Sequence, residues 1–440
     1  MEIKKINARE ACLASLENFE NDKKYSNIEL SEAVEKYDFN DLERRFFTKL
    51  FLGVIEKKLT LDHYIKSSCE KSTKLEPKIL NILRMGAYQL ACLSKVPESA
   101  VCDESVKLAK KARPKNSKIG GVVNVILRNF IRNKEKILKS VDEITDPRKR
   151  LEIKYSCSGD IADIWTESYG KKTAELLLEE SQGRRKTTLA VNTLKISRDQ
   201  YFEQLMQNHP NIATKKTELS PCGIIIEDDL PIKNLFGFES GLFFVQDEAS
   251  QICALETGAK PGDLVVDCCA APGGKSFFMA QMMKNTGTIV CFDIYAKKLV
   301  LINDSAKRLG IDIIKTYERD STLGFCDFEA DAVLCDAPCS GLGTLAKKPE
   351  IKYKTLEEIS DLPKTQLAIL SACSNYTKPG GTLIYSTCTL NKKENEEVAE
   401  RFLYENKDFK CEFQKTFFPF EHGTDGFFLA KLKRCGKKHE

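Results

Sequence analysis

The chain has four histidines and one tryptophan in 440 residues, and no two of its 17 cysteines have Cys-x-x-Cys spacing. With little imidazole and no paired thiols, no metal site is expected. No apolar run approaches the roughly 18 residues that cross a bilayer, and the opening Met1-Glu2-Ile3-Lys4-Lys5 lacks the apolar stretch of a secretory signal. A cytoplasmic protein with no membrane contact is the expectation. Also missing are the GxGxxG spacing of dinucleotide sites and the GxxxxGK[ST] of phosphate loops, which disfavours nicotinamide and ATP chemistry. The cysteine count is odd and spread over a long chain, so the thiols read as reduced, most of them small core hydrophobes.

What is present suits a folded protein of several domains. The composition is 42% apolar and 30% charged, and the length exceeds what one core usually serves. The net charge of +4 hides an asymmetry: residues 1–140 carry 28 Lys/Arg against 19 Asp/Glu, while the rest carry 40 against 45. From Lys107 to Lys139 there are eleven basic residues and one acid, Glu135. So dense a block is an electrostatic footprint for a phosphate backbone, although a solvated helical face has the same look.

Periodicity divides the chain in three. Over 1–143, apolar residues recur at spacings of three and four, as in Ala8, Ala11, Cys12, Leu16 and Phe19, and predict helices over 6–20, 41–57, 77–94, 99–112 and 121–133. Such helices with brief breaks make an all-α bundle. Asp146-Pro147 marks a connector, and 144–240 alternates as a small α+β module, with a helix over 161–182, a strand over 189–194, a helix over 199–206 and a strand over 223–226. Over 241–440 the alternation is regular. Strands at 264–267, 288–293, 312–317, 332–335 and 382–385 and helices at 246–251, 276–284, 296–309 and 362–376 predict an α/β Rossmann-like domain with a mostly parallel sheet. Pro379-Gly380-Gly381 is expected to stop the last of these helices.

Ligands in such sheets bind beyond the carboxyl ends of the strands, where Asp267, Asp293, Asp336 and Cys388 all fall. The loop from Ala270 to Ser276 joins the first strand to its helix, and its glycines permit close backbone approach to a ligand. Asp293, 26 residues after Asp267, suits the two hydroxyls of a ribose; Asp320 could accept from an adenine amino group, though acids at strand ends are also common helix N-caps. Cys388 lies in Tyr385-Ser386-Thr387-Cys388-Thr389 and Cys339 in Asp336-Ala337-Pro338-Cys339-Ser340-Gly341. Neither has a histidine in its motif to act as base, which argues against a papain-like dyad.

These motifs, in this order after Ala271-Pro272-Gly273-Gly274-Lys275, resemble those of the S-adenosylmethionine-dependent RNA cytosine-C5 methyltransferases of the NOL1/NOP2/Sun family. The bacterial branch acting on small-subunit (16S) ribosomal RNA begins with a NusB-like helical domain, echoed by the run from Ile82 to Leu90 and by Val123 to Asn129. The resemblance implies that Cys388 is the nucleophile, that Cys339 assists product release, that Asp336 holds the cytosine edge, and that Lys275 lies near cofactor or base. It further implies that Cys269, Ala270, Ala271, Pro272, Gly273, Gly274 and Lys275 line the S-adenosylmethionine site with Asp293, Asp320 and Asp336. The implied partner is 16S ribosomal RNA with a single-stranded or flipped target cytosine, met by a monomer. The chain departs from the family's usual residues at 155–159, Ala190 and Ala346, positions that concern RNA contact more than the reaction. A transfer RNA substrate, or a non-catalytic NusB-like adaptor, would be the competing expectations.

Overall fold

The computed structural model describes residues 6–22, 25–69, 75–183, 186–228, 231–323 and 328–436; the opening pentapeptide lies outside them. Two compact units result, one formed by Met1–Gly183 with Leu345–Thr355, the other by Arg184–Thr344 with Leu356–Glu440. Residues 144–183 thus group with the helical unit, whereas the four-stranded sheet that follows groups with the larger one.

In the first unit the predicted helices are observed at Ala8–Asp22, Asp41–Glu56, Pro77–Cys92, Glu98–Ala112 and Ile119–Arg132. Two more, Ser26–Lys36 and Lys58–Ser68, fill segments with weaker periodicity. Asn40 and Glu43 cap Asp41–Glu56 reciprocally, and Pro77 opens its helix where no amide partner is needed. Pro77–Cys92 is buried over most of its surface, polar residues included. Each of these finds a partner: Arg84 forks onto Asp62 at 2.7 and 2.8 Å, Asn81 donates to Glu20 at 2.8 Å, and Gln89 accepts from Arg9 at 2.8 Å. The inserted segment Leu345–Thr355 belongs to this core. Glu350 accepts from Ser26 Oγ at 2.7 Å, the Tyr353 hydroxyl donates to the Ile55 carbonyl at 2.5 Å, and Lys352 is fully buried.

The helix expected over 161–182 is two helices, Gly159–Tyr169 and Lys171–Glu180. Gly170 between them has φ of +81°, a left-handed conformation that ends a right-handed helix. The basic block is partly neutralised by folding: Lys107, Lys111, Arg113 and Lys134 pair with Glu104, Glu10, Glu76 and Glu98. Lys110, Lys115, Lys118, Arg128 and Arg132 stay exposed.

The second unit holds two sheets. Strands β1 (Thr187–Val191), β2 (Thr214–Lys216), β3 (Gly223–Ile226) and β4 (Phe243–Val245) form an antiparallel sheet in the order β2-β3-β1-β4, with the helix Arg198–Asn208 contributing Tyr201 and Leu205 to its core. Strands β5 (Leu264–Asp267), β6 (Thr288–Asp293), β7 (Ile314–Glu318), β8 (Ala330–Asp336), β9 (Thr377–Thr387), β10 (Phe409–Phe417) and β11 (Phe427–Arg434) form the larger sheet in the order β10-β11-β9-β8-β5-β6-β7. The pairs from β9 through β7 are parallel, while β11 pairs antiparallel with both β9 and β10. Strand β9 begins at Thr377, so Pro379-Gly380-Gly381 lies within a strand rather than in a stop, with a register shift on the β8 side. Buried Asn192 ties the two sheets' surroundings together, donating to the carbonyls of Gly241 at 2.9 Å and Leu309 at 2.8 Å. Among the described residues no helix is long and apolar enough to cross a membrane.

Candidate active site

Four neighbouring parallel strands end at one rim: β6 at Asp293, β5 at Asp267, β8 at Asp336 and β9 at Thr387, just before Cys388. The β8–β9 register sets Asp336 opposite Ser386, and Ser386 Oγ donates to Asp336 Oδ1 at 2.7 Å. The other carboxylate oxygen accepts from Lys275 Nζ at 2.6 Å. Lys275 comes from the first turn of the helix Gly274–Met282 and lies 5.2 Å from the centre of the Phe427 ring. Burial alone favours its neutral form, but Asp336 outweighs burial and holds the ammonium above its ordinary range.

Cys339 and Cys388, 49 positions apart, bring their sulfur atoms to 3.3 Å. Two backbone bonds fix the loops: Gly343 N donates to the Cys388 carbonyl at 3.0 Å, and Gly426 N donates to the Gly343 carbonyl at 2.8 Å. A Cβ on Gly343 would stand 1.8 Å from the Gly426 carbonyl oxygen, so only glycine allows this approach. The thiol of Cys339 is pushed well up, first by its bond to Cys388 and then by burial, which keeps its proton on sulfur.

Beneath this pair lies a residue the sequence reading passed over. Glu394 is fully buried and accepts four hydrogen bonds, from Ser340 N at 2.8 Å, Ser340 Oγ at 2.6 Å, Gln366 Nε2 at 2.9 Å and Asn391 Nδ2 at 2.9 Å. Gln366 also donates to the Pro338 carbonyl at 3.0 Å, so both sides of Cys339 are pinned to one carboxylate network. The hint in the sequence is the polar run Asn391-Lys392-Lys393-Glu394-Asn395, which ends six residues beyond the Cys388 motif.

The glycine loop follows β5 and is shaped by backbone bonds from Ala270 N to Phe292 O at 2.8 Å and from Gly273 N to Ala270 O at 2.7 Å. Asp267 is 1% exposed; its Oδ2 accepts from Ser276 Oγ at 2.5 Å, and its Oδ1 has no partner among the described residues. Burial pushes this carboxyl up to about 7. Burial likewise raises the Cys269 thiol. Asp293 is buried, with Oδ1 accepting from Tyr295 N at 3.0 Å and Lys298 Nζ 3.8 Å away. Asp320 lies past the end of β7, where Oδ1 closes a turn by accepting from Thr322 N at 2.9 Å and Oγ1 at 2.7 Å, which lowers its pKa. The structure therefore gathers Lys275, Asp336, Cys339 and Cys388 into one cluster, sets Asp267 and Asp293 on adjoining strands, and leaves Asp320 engaged locally.

Comparisons with known proteins agree along the length of the chain. The sequence profile of the 16S rRNA methyltransferase RsmB/F family matches residues 254–433, that of the NusB family residues 6–132, and that of the ferredoxin-like domain of RsmF/B-like methyltransferases residues 161–233. The probable ribosomal RNA small subunit methyltransferase B of Bacillus subtilis (strain 168) is 32% identical, with 99% of this chain and 100% of that protein aligned. Ribosomal RNA small subunit methyltransferase B of Proteus mirabilis (strain HI4320) is 27% identical over 92% and 94% of the two chains. The crystal structure of PH0851 superposes with a TM-score of 0.82 at 26% identity over 98% of this chain and 100% of that one. The structure of NSun6 from Pyrococcus horikoshii with SFG shares the fold over 62% of this chain and 97% of that one, with a TM-score of 0.58 and 24% identity. With a relative above 30% identity aligned end to end, and with the profiles of all three parts in order, the chain belongs to the 16S rRNA methyltransferase RsmB/F family.

Proposed function

We propose that the chain methylates C5 of a cytosine in small-subunit ribosomal RNA, in the cytoplasm, with S-adenosylmethionine as methyl donor. The observation that carries this reading is the cluster at the ends of β8 and β9: two thiols 3.3 Å apart beside a carboxylate held by a lysine and a serine. Family membership supports the methyltransferase and ribosomal RNA parts.

The residues present fit the cofactor. The glycine loop from Cys269 to Lys275 and the strand-end acids Asp267, Asp293 and Asp320 would hold it, with the unpartnered, buried Asp267 Oδ1 able to accept from a ligand N–H. When bound, S-adenosylmethionine supplies an electrophilic sulfonium methyl group.

The chain's own residues supply the rest. Cytosine C5 is a poor nucleophile. Addition of the Cys388 thiolate to C6 forms a carbon–sulfur bond and places an electron pair at C5, making C5 nucleophilic toward the methyl group that the cofactor would supply on release of S-adenosylhomocysteine. Asp336, oriented by Lys275 and Ser386, holds the N3 and N4 edge and stabilises the protonated ring of the adduct. Loss of the C5 proton to solvent then returns the pair to the ring and expels Cys388 sulfur; Cys339, 3.3 Å from that sulfur, assists this release by donating its proton to the departing thiolate. The target base must be single-stranded or flipped, since C5 and C6 are shielded in a stacked helix. Exposed Lys110, Lys115, Lys118, Arg128 and Arg132 would hold surrounding phosphates, a contact that weakens with salt.

Incubation with methyl-labelled S-adenosylmethionine and unmethylated small-subunit RNA is expected to label one cytosine at C5. Transfer to transfer RNA alone would reassign the substrate, and absence of transfer to any RNA would overturn the reading.

A further inference from the structure

Gln246 follows β4 and leads into the helix Glu248–Glu256. Its backbone is fixed at both ends, N donating to the Thr188 carbonyl at 3.0 Å and O accepting from Gln251 Nε2 at 3.0 Å. The side chain is 6% exposed, yet neither Oε1 nor Nε2 has a hydrogen-bond partner among the described residues. A buried amide with both ends unbonded is rare in a native fold, and each such group calls for a polar partner.

Its neighbours place it in the cluster. A Cβ on Gly274 would lie 3.6 Å from Gln246 Cδ and Nε2, which sets the amide beside the turn carrying Lys275. The next residue, Asp247, accepts from Asp425 N at 3.2 Å. Asp425 leads into Gly426, bonded to the Gly343 carbonyl, and into Phe427, whose ring faces Lys275 Nζ. The segment Gln246-Asp247 therefore borders both the turn that carries Lys275 and the turn that fixes the cysteine loops. That is the β9–β11 side of the sheet, whereas Asp293 and Asp320 lie toward β6 and β7.

We propose that Gln246 binds the target cytidine directly, its amide nitrogen donating to the base O2, next to the N3 and N4 edge held by Asp336, and its amide oxygen accepting from a ribose hydroxyl. This deepens the reading of the site given above and rests on it. Gln246 thus joins Asp336 in holding the nucleotide, and it does so from the segment that connects the small sheet to the catalytic sheet.

The full chain carrying Gln246→Leu keeps the volume and removes both polar atoms. Its kcat/KM for small-subunit RNA is expected to fall about tenfold or more through KM, its affinity for S-adenosylhomocysteine by calorimetry to stay within about twofold, and its melting temperature not to fall. Gln246→Met serves the same comparison if the leucine variant does not fold. An unchanged kcat/KM for RNA overturns the proposal, as does lost S-adenosylhomocysteine affinity with RNA kinetics intact. Filter binding of unmethylated RNA to wild type and variant runs in parallel. If wild type transfers no methyl group, the functional reading fails on that result alone, and equal RNA binding by the two chains then also removes the role of Gln246.

Discussion

Cys339 Sγ and Cys388 Sγ lie 3.3 Å apart, although one thiol follows β8 and the other follows β9. Parallel pairing of those strands, with Asp336 opposite Ser386, brings the two loops together at the same rim. The shared contact raises Cys339 and leaves it protonated beside its neighbour. A protonated thiol is a poor nucleophile, which supports the proposal that Cys388 attacks while Cys339 handles the proton.

Replacing these thiols should separate the steps. Cys388→Ala is expected to reduce methyl transfer at least about a thousandfold, because the remaining thiol, Cys339, is held protonated and is a poor nucleophile. Cys339→Ala should leave transfer possible but stall release, trapping a covalent protein–RNA adduct visible as a denaturant-resistant band on a gel. An adduct with Cys388→Ala instead would reverse the two roles.

Glu394 should matter for stability and for the cysteine loop alike. Glu394→Ala strips the acceptor from the Ser340 amide and from the Gln366 and Asn391 side chains, all buried around it. A loss of about 3–5 kcal/mol is expected, since several buried donors are left without an acceptor at about 1–3 kcal/mol each. Glu394→Gln keeps one acceptor oxygen and should lose less. Urea unfolding midpoints rank the three chains; identical midpoints would contradict the role assigned to the network.

Asp267 should leave a mark on the pH dependence of stability. An unfolded aspartate titrates near 3.9, whereas burial pushes this one up to about 7. Between those values the folded chain keeps a proton that the unfolded chain has released. The group's stabilising contribution is therefore full below about pH 4, declines as pH rises to about 7, and is lost above, a change of at most about 4 kcal/mol. Asp267→Asn removes this decline, so the variant should gain stability relative to wild type between pH 5 and pH 8. Parallel urea midpoints for the two chains across that range would rule it out.

Parts of this architecture are plain in the linear chain. Helical spacing marks the helices Asp41–Glu56 and Pro77–Cys92, and unbroken apolar runs mark β5, β6 and β8, because these elements bury enough surface to dictate their residue types. The edge strand β10 has no such signature. Its residues from Lys410 to Lys415 are exposed and largely polar, so alternation is lost, and with it the antiparallel extension that sets β11 against β9. Gly170 likewise looks tolerable inside a helical pattern, and only its positive φ shows the break.

The catalytic cluster divides the same way. Lys275, Asp336, Cys339 and Cys388 stand in short motifs at strand ends, and local order alone determined that they share a rim, since a parallel sheet collects its carboxyl ends on one side. Gln246 and Glu394 were decided only by tertiary structure. One is notable because its buried amide atoms are unbonded and the other because four donors, three of them from two distant segments, converge on it. Burial and hydrogen-bond satisfaction are properties of packed neighbours, not of adjacent residues, and no pattern along the chain encodes them.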